Sequence, residues 1–380
     1  MKAASRLVPR AEQVGSLKRP ARLVAANEAV YRPGHVAIEE AERAHGLGEL
    51  YAIAEEESRR AVCRQLDIGL DVVTDGEFRR YMFLNSLFDG ITGFSSEVSK
   101  AQFKAADGSV VEWNMQYVVD RLKQVDSPAA REAAFMSSVT DHLYKVTFPA
   151  GSFLALPYNF KPGINGHAYP SHRALVEHAV AIERRMIADV VAAGCRYVQL
   201  DFPVYPFLCD PDWRARMERH GYDWRETLDL AVWADREIIA GLPDDVRTGI
   251  HVCRGNNQSR YVAEGSLDPV AEALFSLPYD SFLIEWEDKT RMGDYSALRH
   301  VPAGDAVVVL GLVSSKRATL ERQDDLLREL DRAAVHLDPN RLALSPQCGF
   351  ASTLKGNLVT EDDQWRKLEL VVDTARRFWA

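Results

Sequence analysis

A histidine and a cysteine stand two apart in GIHVCRGNN (249–257), and a second cysteine follows in LSPQCGF (344–350). His251, Cys253 and Cys348 offer one imidazole and two thiols. Joined by one carboxylate they can make a tetrahedral zinc site. The spacing is not that of a zinc finger or ribbon, which uses local CxxC pairs, so the fold itself must assemble these ligands. Such a site suits a catalytic metal, with one ligand able to give way to substrate. The carboxylate has two candidates, Glu285 and Glu287 in SFLIEWE (281–287). Residues two apart on a strand leave the same face, as His251 and Cys253 also do. The competing reading treats Cys253 and Cys348 as ordinary buried cysteines.

Other reactive side chains fall at the ends of apolar runs: Ser16, Asp75, Glu77, Asp201, Ser314 and Ser315. The elements that must hold them read as eight short strands. These are 13–17, 71–77, 144–152, 197–203, 248–253, 281–287, 306–315 and 342–349. Amphipathic helices lie between them, such as 172–194, 225–242 and 318–337. Strands alternating with helices favour a parallel sheet with covered faces, and eight such units favour a (β/α)8 TIM barrel. The chemistry then converges on the C-terminal face, where barrel enzymes keep their sites. One barrel domain is expected over 1–380. Residues 93–140 fit the alternation badly and read as an inserted hairpin-like segment over one mouth, GSVVEWNMQYVV (108–119) alternating as a hairpin does. The aromatic loop 203–224 is expected to close over a ligand. His167 and Cys209 receive no role.

A net charge of −9 argues against nucleic acid as the main partner, which needs a basic face. No apolar run reaches the ~18–20 residues of a membrane span, and a signal peptide is not expected. Five cysteines at irregular spacing do not make a disulfide framework and suit a reducing cytoplasm.

Taken in order, QVGSLKRP (13–20), TDGEFRR (74–80), VQLDFP (198–203), HVCRGN (251–256), LIEWE (283–287) and SPQCGF (345–350) resemble the catalytic barrel of cobalamin-independent methionine synthase. The likeness runs over nearly the whole chain and is closest to single-barrel members. The resemblance implies zinc held by His251, Cys253, Glu285 and Cys348, with Glu285 preferred over Glu287. It implies that Ser16, Glu77 and Asp201 hold the amino-acid part of homocysteine, the two carboxylates also counting as catalytic. The expected reaction is methyl or alkyl transfer to a zinc-bound thiol. Its partners would be a homocysteine-like thiol and a donor such as methyl-tetrahydrofolate or a methyl-corrinoid protein. Trp113, Tyr158 and Phe160 are candidates to line a pocket for a flat donor.

Two departures touch the donor side. The synthase carries a histidine after its seventh strand, whereas VVLGLVSSKRATLE (308–321) has none. Lys316 is the nearest cation there, and an exposed lysine, with a pKa near 10.4, is a weak acid at pH 7. Phe202 stands where the synthase has a glutamate. Two related alternatives remain: an epoxyalkane:coenzyme M-type thiol alkyltransferase, and a metal-free barrel of the uroporphyrinogen decarboxylase kind.

Overall fold

The computed structural model describes residues 8–31, 47–95, 99–105 and 108–380. Its centre is a six-stranded parallel sheet whose neighbours follow chain order. The strands are β5 (Val146–Pro149), β6 (Tyr197–Asp201), β7 (Arg247–Val252), β8 (Ser281–Glu285), β9 (Val307–Val313) and β10 (Leu342–Pro346). Every residue of these six strands is buried. That is the pattern of a parallel sheet covered on both faces, and VVVLGLV of β9 is its clearest case.

Helices cover the outside. His172–Ala192 begins at Ser171, whose side chain accepts from the Ala174 N–H, and buries Leu175, Ala179, Ile182, Met186 and Val190 along one stripe. Glu361–Phe378 starts with a capping box formed by Thr360 and Asp363. Among the described residues, no helix is long and apolar enough to cross a membrane.

Six of the eight expected strands are strands here. The other two segments make only single parallel bridges, and both flank the sheet. Glu12 N–H donates to the Leu344 carbonyl at 3.2 Å, Leu344 N–H to Arg10 at 2.9 Å, and Asp71 N–H to Ala11 at 2.9 Å. Val73 N–H donates to Leu143 and Lys145 N–H to Val73, both at 3.1 Å. The expected first strand at 13–17 is thus a turn, and the pairing falls earlier, at Ala11. The turn lies close against its neighbours: a Cβ on Gly15 would stand 2.5 Å from Glu77 Oε1.

Between residues 91 and 124 lie two antiparallel pairs. β1 (Ile91–Phe94) pairs with β4 (Val118–Gln124), and β2 (Ser99–Lys104) pairs with β3 (Val110–Met115). The inner hairpin is tied to the loop after β7: Lys104 and Tyr261 exchange backbone hydrogen bonds at 2.7 and 2.9 Å. Residues Pro128–Val139, also read as part of an insertion, form a helix packed on His172–Ala192.

Candidate active site

Strand register sets the site. Asp201 at the end of β6 lies beside His251 of β7, which in turn lies beside Leu283 of β8. His251 Nδ1 sits 3.1 Å from the Leu283 carbonyl, which fixes the N–H there and leaves Nε2 as the acceptor. Nε2 is buried and has no hydrogen-bond partner. A ligand atom from each of His251, Cys253 and Cys348 lies within 4.8 Å of the other two.

Cys348 arrives through an irregularity. The register of β10 against β9 shifts between Ser345 and Pro346, from Ser345↔Gly311 to Pro346↔Val313. Gly311 permits the close approach, since a Cβ there would stand 2.8 Å from Gln347 Cα and 2.9 Å from the Ile284 carbonyl. The chain then turns Cys348 towards Cys253. Cys253 is held well below the usual thiol range by the Cys348 S–H and by His251, against its burial. Cys348 is pushed up by that same bond and by burial. Together they set two sulfurs, unequal in acidity, beside the buried imidazole nitrogen. A buried imidazole nitrogen without a partner, next to two sulfurs, fits a soft or borderline divalent metal such as zinc.

The same cavity is lined by Ser16, Glu77 and Asp201. Glu77 Oε1 accepts from Thr147 Oγ1 at 2.8 Å, and Thr147 accepts from Arg80 Nη1 at 2.8 Å. Glu77 Oε2 is buried without a partner. Asp201 accepts from Gln199 Nε2 at 2.7 Å, and burial pushes its carboxyl up to about 7, with His251 opposing and Glu77 adding to the shift. Ser16 Oγ accepts from Ala351 N–H at 3.3 Å and lies against Gly349, where a Cβ would come within 2.1 Å of it. Two acids and a hydroxyl therefore face a cavity that ends in two sulfurs. Asp75 and Glu77 are both buried. Arg79, further along the same turn, pairs with Glu55 at 2.6 Å.

Glu285 stands apart from the three-ligand group. Its Oε1 accepts from Lys316 Nζ at 3.0 Å and Gln347 Nε2 at 2.8 Å, and its Oε2 accepts from Arg254 N–H at 2.7 Å. Burial opposes its ionisation, but Lys316 and these bonds win and hold it below the usual range. Glu287 pairs with Arg291 at 3.0 Å. Burial and Glu285 together push it up to about 7. Lys316, taken as exposed, is buried and also donates to the Gly255 carbonyl at 2.9 Å. Burial lowers its pKa, but Glu285, Glu287 and Cys348 outweigh it and raise it.

Sequence reasoning missed several lining groups. Asn256 donates to the Gly349 carbonyl at 2.7 Å and so ties the β7 end to the β10 end. Phe103 reaches the cavity from the β2–β3 hairpin, and Phe83 and Phe202 line it as well. Asn256 lies inside a motif quoted above and was the detectable one. Phe103 carried no local signal. The loop 203–224 does not close over the cavity. It forms the helices Tyr205–Cys209 and Pro211–Arg219, packed outside through Phe207 and Trp213, and only Phe202 before it reaches in. Tyr158 packs edge-on against Tyr222 and Phe160 stacks on His172, so neither lines the cavity. The side chain of Trp113 lies outside the described residues. His167 is exposed near Asp120, and Cys209 is buried.

This chain belongs to the family described as the cobalamin-independent synthase catalytic domain, whose model matches residues 32–376. It is a family of methyltransferases of the methionine-synthase kind. Among relatives, the uncharacterized protein YxjG of Bacillus subtilis (strain 168) is 34% identical, the match covering 97% of this chain and 94% of that one. The methionine synthase of Pyrococcus abyssi is 23% identical over 81% of each chain. A candidate vitamin-B12-independent methionine synthase from Listeria monocytogenes superposes with a TM-score of 0.71 at 25% identity, covering 99% of this chain and all of that one. A B12-independent methionine synthase from Shewanella sp. W3-18-1, solved with selenomethionine, has the same fold, with a TM-score of 0.70 at 17% identity and 97% coverage of each chain.

Proposed function

We propose that this protein transfers a methyl group to the sulfur of homocysteine, with a zinc ion held by His251, Cys253, Cys348 and Glu285. The observation that carries the reading is the buried, unpartnered Nε2 of His251 beside two sulfurs, in a cavity shared with Glu77, Asp201 and Ser16. Zinc in that place would supply the charge that keeps an incoming thiol ionised at neutral pH. Glu285 is the ligand with a second place to go, since Lys316, Gln347 and Arg254 N–H already satisfy it.

The chain's own groups do the remaining work. Glu77 and Asp201 suit an α-ammonium, whose charge would keep Asp201 ionised. Ser16 and the adjoining backbone suit an α-carboxylate. Thr147 and Arg80 hold Glu77 in position, and Gln199 holds Asp201. Binding the head of the acceptor at these groups orients its thiol towards the sulfur end of the cavity.

The eight segments are proposed to close as one (β/α)8 barrel domain over 1–380, with residues 91–124 as an elaboration. The hydrogen bonds of segments 10–12 and 71–73 to each other, to β10 and to the chain entering β5 support closure. The test is elemental analysis followed by zinc-edge X-ray absorption with and without homocysteine. About one zinc per chain, gaining a sulfur neighbour when homocysteine is added, is expected. A protein without bound zinc, or one whose zinc surroundings ignore homocysteine, refutes the reading.

A further inference from the structure

The cavity's lining divides by chemistry. Two carboxyl groups and two sulfurs lie along one part, and Phe83, Phe103 and Phe202 supply aromatic surface. Among the described lining residues there is no lysine or arginine. The rings of Phe83 and Phe202 meet edge to face at 5.7 Å. Phe202 is held at φ +56°, a conformation unusual for a bulky residue, and its aromatic ring lines the cavity. Lys316, the lysine that follows the end of β9, is committed to Glu285 and the Gly255 carbonyl.

From these observations we infer that the methyl donor is a methylsulfonium compound, received against the phenylalanines. The inference rests on the proposed thiol-methylating function and specifies its donor. Aromatic rings attract onium groups through their faces, and acidic surroundings add to that attraction. A donor that carries several carboxylates and no cationic centre would find no positive partner among the described lining residues.

The chemistry closes without an acid. The acceptor has lost its thiol proton to solvent. Its sulfur forms a bond to the methyl carbon while the bond from that carbon to the donor sulfur breaks. The bonding pair returns to the donor sulfur, which leaves as a neutral thioether, so no proton moves in the transfer. A methyl-tetrahydrofolate donor leaves as an amine anion unless protonated, and a general acid is worth ~10²–10⁴-fold in such a step.

The zinc-loaded full chain is given homocysteine deuterated on its carbon chain, with either S-methylmethionine or methyl-tetrahydrofolate at equal concentration. Chain-deuterated methionine is counted by mass spectrometry. The sulfonium donor should be faster by about a hundredfold, the low end of an acid's contribution. Trimethylsulfonium is titrated separately against neutral tert-butanol by calorimetry. Phe202→Leu should weaken trimethylsulfonium about three- to thirtyfold and leave tert-butanol unchanged, with Phe83→Leu as the second variant. Equal or faster turnover with methyl-tetrahydrofolate overturns the inference, as does unchanged trimethylsulfonium binding in both variants. Homocysteine titrated into the same zinc-loaded protein separates the two levels. If it binds and the sulfonium fails, the donor assignment alone falls. If it does not bind, the thiol-methylating reading falls, and the donor assignment with it.

Discussion

Replacing Lys316 with methionine keeps an unbranched side chain, one atom shorter, and removes its charge. In the protein Lys316 Nζ lies 3.0 Å from Glu285 Oε1, and both side chains are almost wholly buried. At 3.0 Å and an effective dielectric near 20 the attraction is about 5 kcal/mol. Removing one partner of a buried pair typically costs ~3–5 kcal/mol, because the remaining charge is left desolvated. Glu285 retains Gln347 and the Arg254 N–H, so the expected loss for Lys316→Met is near 3 kcal/mol, the low end of that range. Adding Glu285→Gln removes the stranded charge, and the double variant should recover most of the loss. The assay is urea unfolding of the metal-free protein, followed by tryptophan fluorescence, for the four members of the cycle. Zinc adds a second reading. If Glu285 is a ligand, the metal supplies the missing counter-charge, and the Lys316→Met deficit shrinks on loading. A single variant within about 1 kcal/mol of the parent, or a double variant no better than the single, refutes the claim that this pair is coupled.

Cys348→Ser should lose most bound zinc while keeping the parent circular dichroism, and full occupancy by elemental analysis would remove Cys348 from the ligand set. Asp201→Asn should weaken homocysteine by ~2–5 kcal/mol in calorimetry and spare 2-mercaptoethanol, which has no ammonium group; equal weakening of both would give Asp201 another role. Asp235, which accepts from Tyr205 Oη at 2.8 Å and does not line the cavity, is pushed by burial up to about 7. A carboxyl raised in the folded state stabilises fully below its unfolded value near 4 and loses that contribution as pH climbs to about 7, so Asp235→Asn should flatten the decline in stability over that window, by up to about 4 kcal/mol. Unfolding midpoints of the two proteins at pH 5 and pH 8 decide it, and parallel declines refute it. At residue 202, with φ +56°, Phe202→Gly should be more stable than Phe202→Ala by about 1 kcal/mol, the reverse of the usual order; an alanine variant that equals or exceeds the glycine variant in urea would show that the backbone there is unstrained.

The central strands were legible because each is a short buried run between turn residues, as in VVVLGLV and TGIHVC. The flanking segments 10–12 and 71–73 were harder. They pair through single bridges and do not extend into apolar runs, so the sequence placed the first one several residues late. The sulfur and imidazole set was legible through the two-residue spacing of His251 and Cys253 and the turn at Cys348. The environment of Glu285 was not. It depends on the ends of β8 and β9 lying side by side, with Glu285 opposite Gly311, which brings a lysine five residues further on beside the carboxylate. A lysine after a strand reads as solvated until that register is known. Phe103 was invisible for a similar reason, because the bond between Lys104 and Tyr261 brings the hairpin to the cavity.

Register also explains where the backbone is strained. Four of the described non-glycine residues have positive φ, and two of them, Glu77 at +58° and Phe202 at +56°, line the cavity. Each such residue costs on the order of 1–3 kcal/mol and persists only where the surroundings over-determine it. At Glu77 the surroundings are Asp75 Oδ1, which accepts from its N–H at 2.8 Å, and Thr147, which donates to its carboxylate. Phe202 is packed among Phe83, Phe153 and Phe207. Glycine would adopt either conformation freely and would bring nothing to the cavity. The fold therefore accepts strain at two neighbouring turns to hold a carboxylate and an aromatic ring against the same space. In the proposed function the first would present charge to the acceptor's head, and the second would shape the wall past which the donor comes.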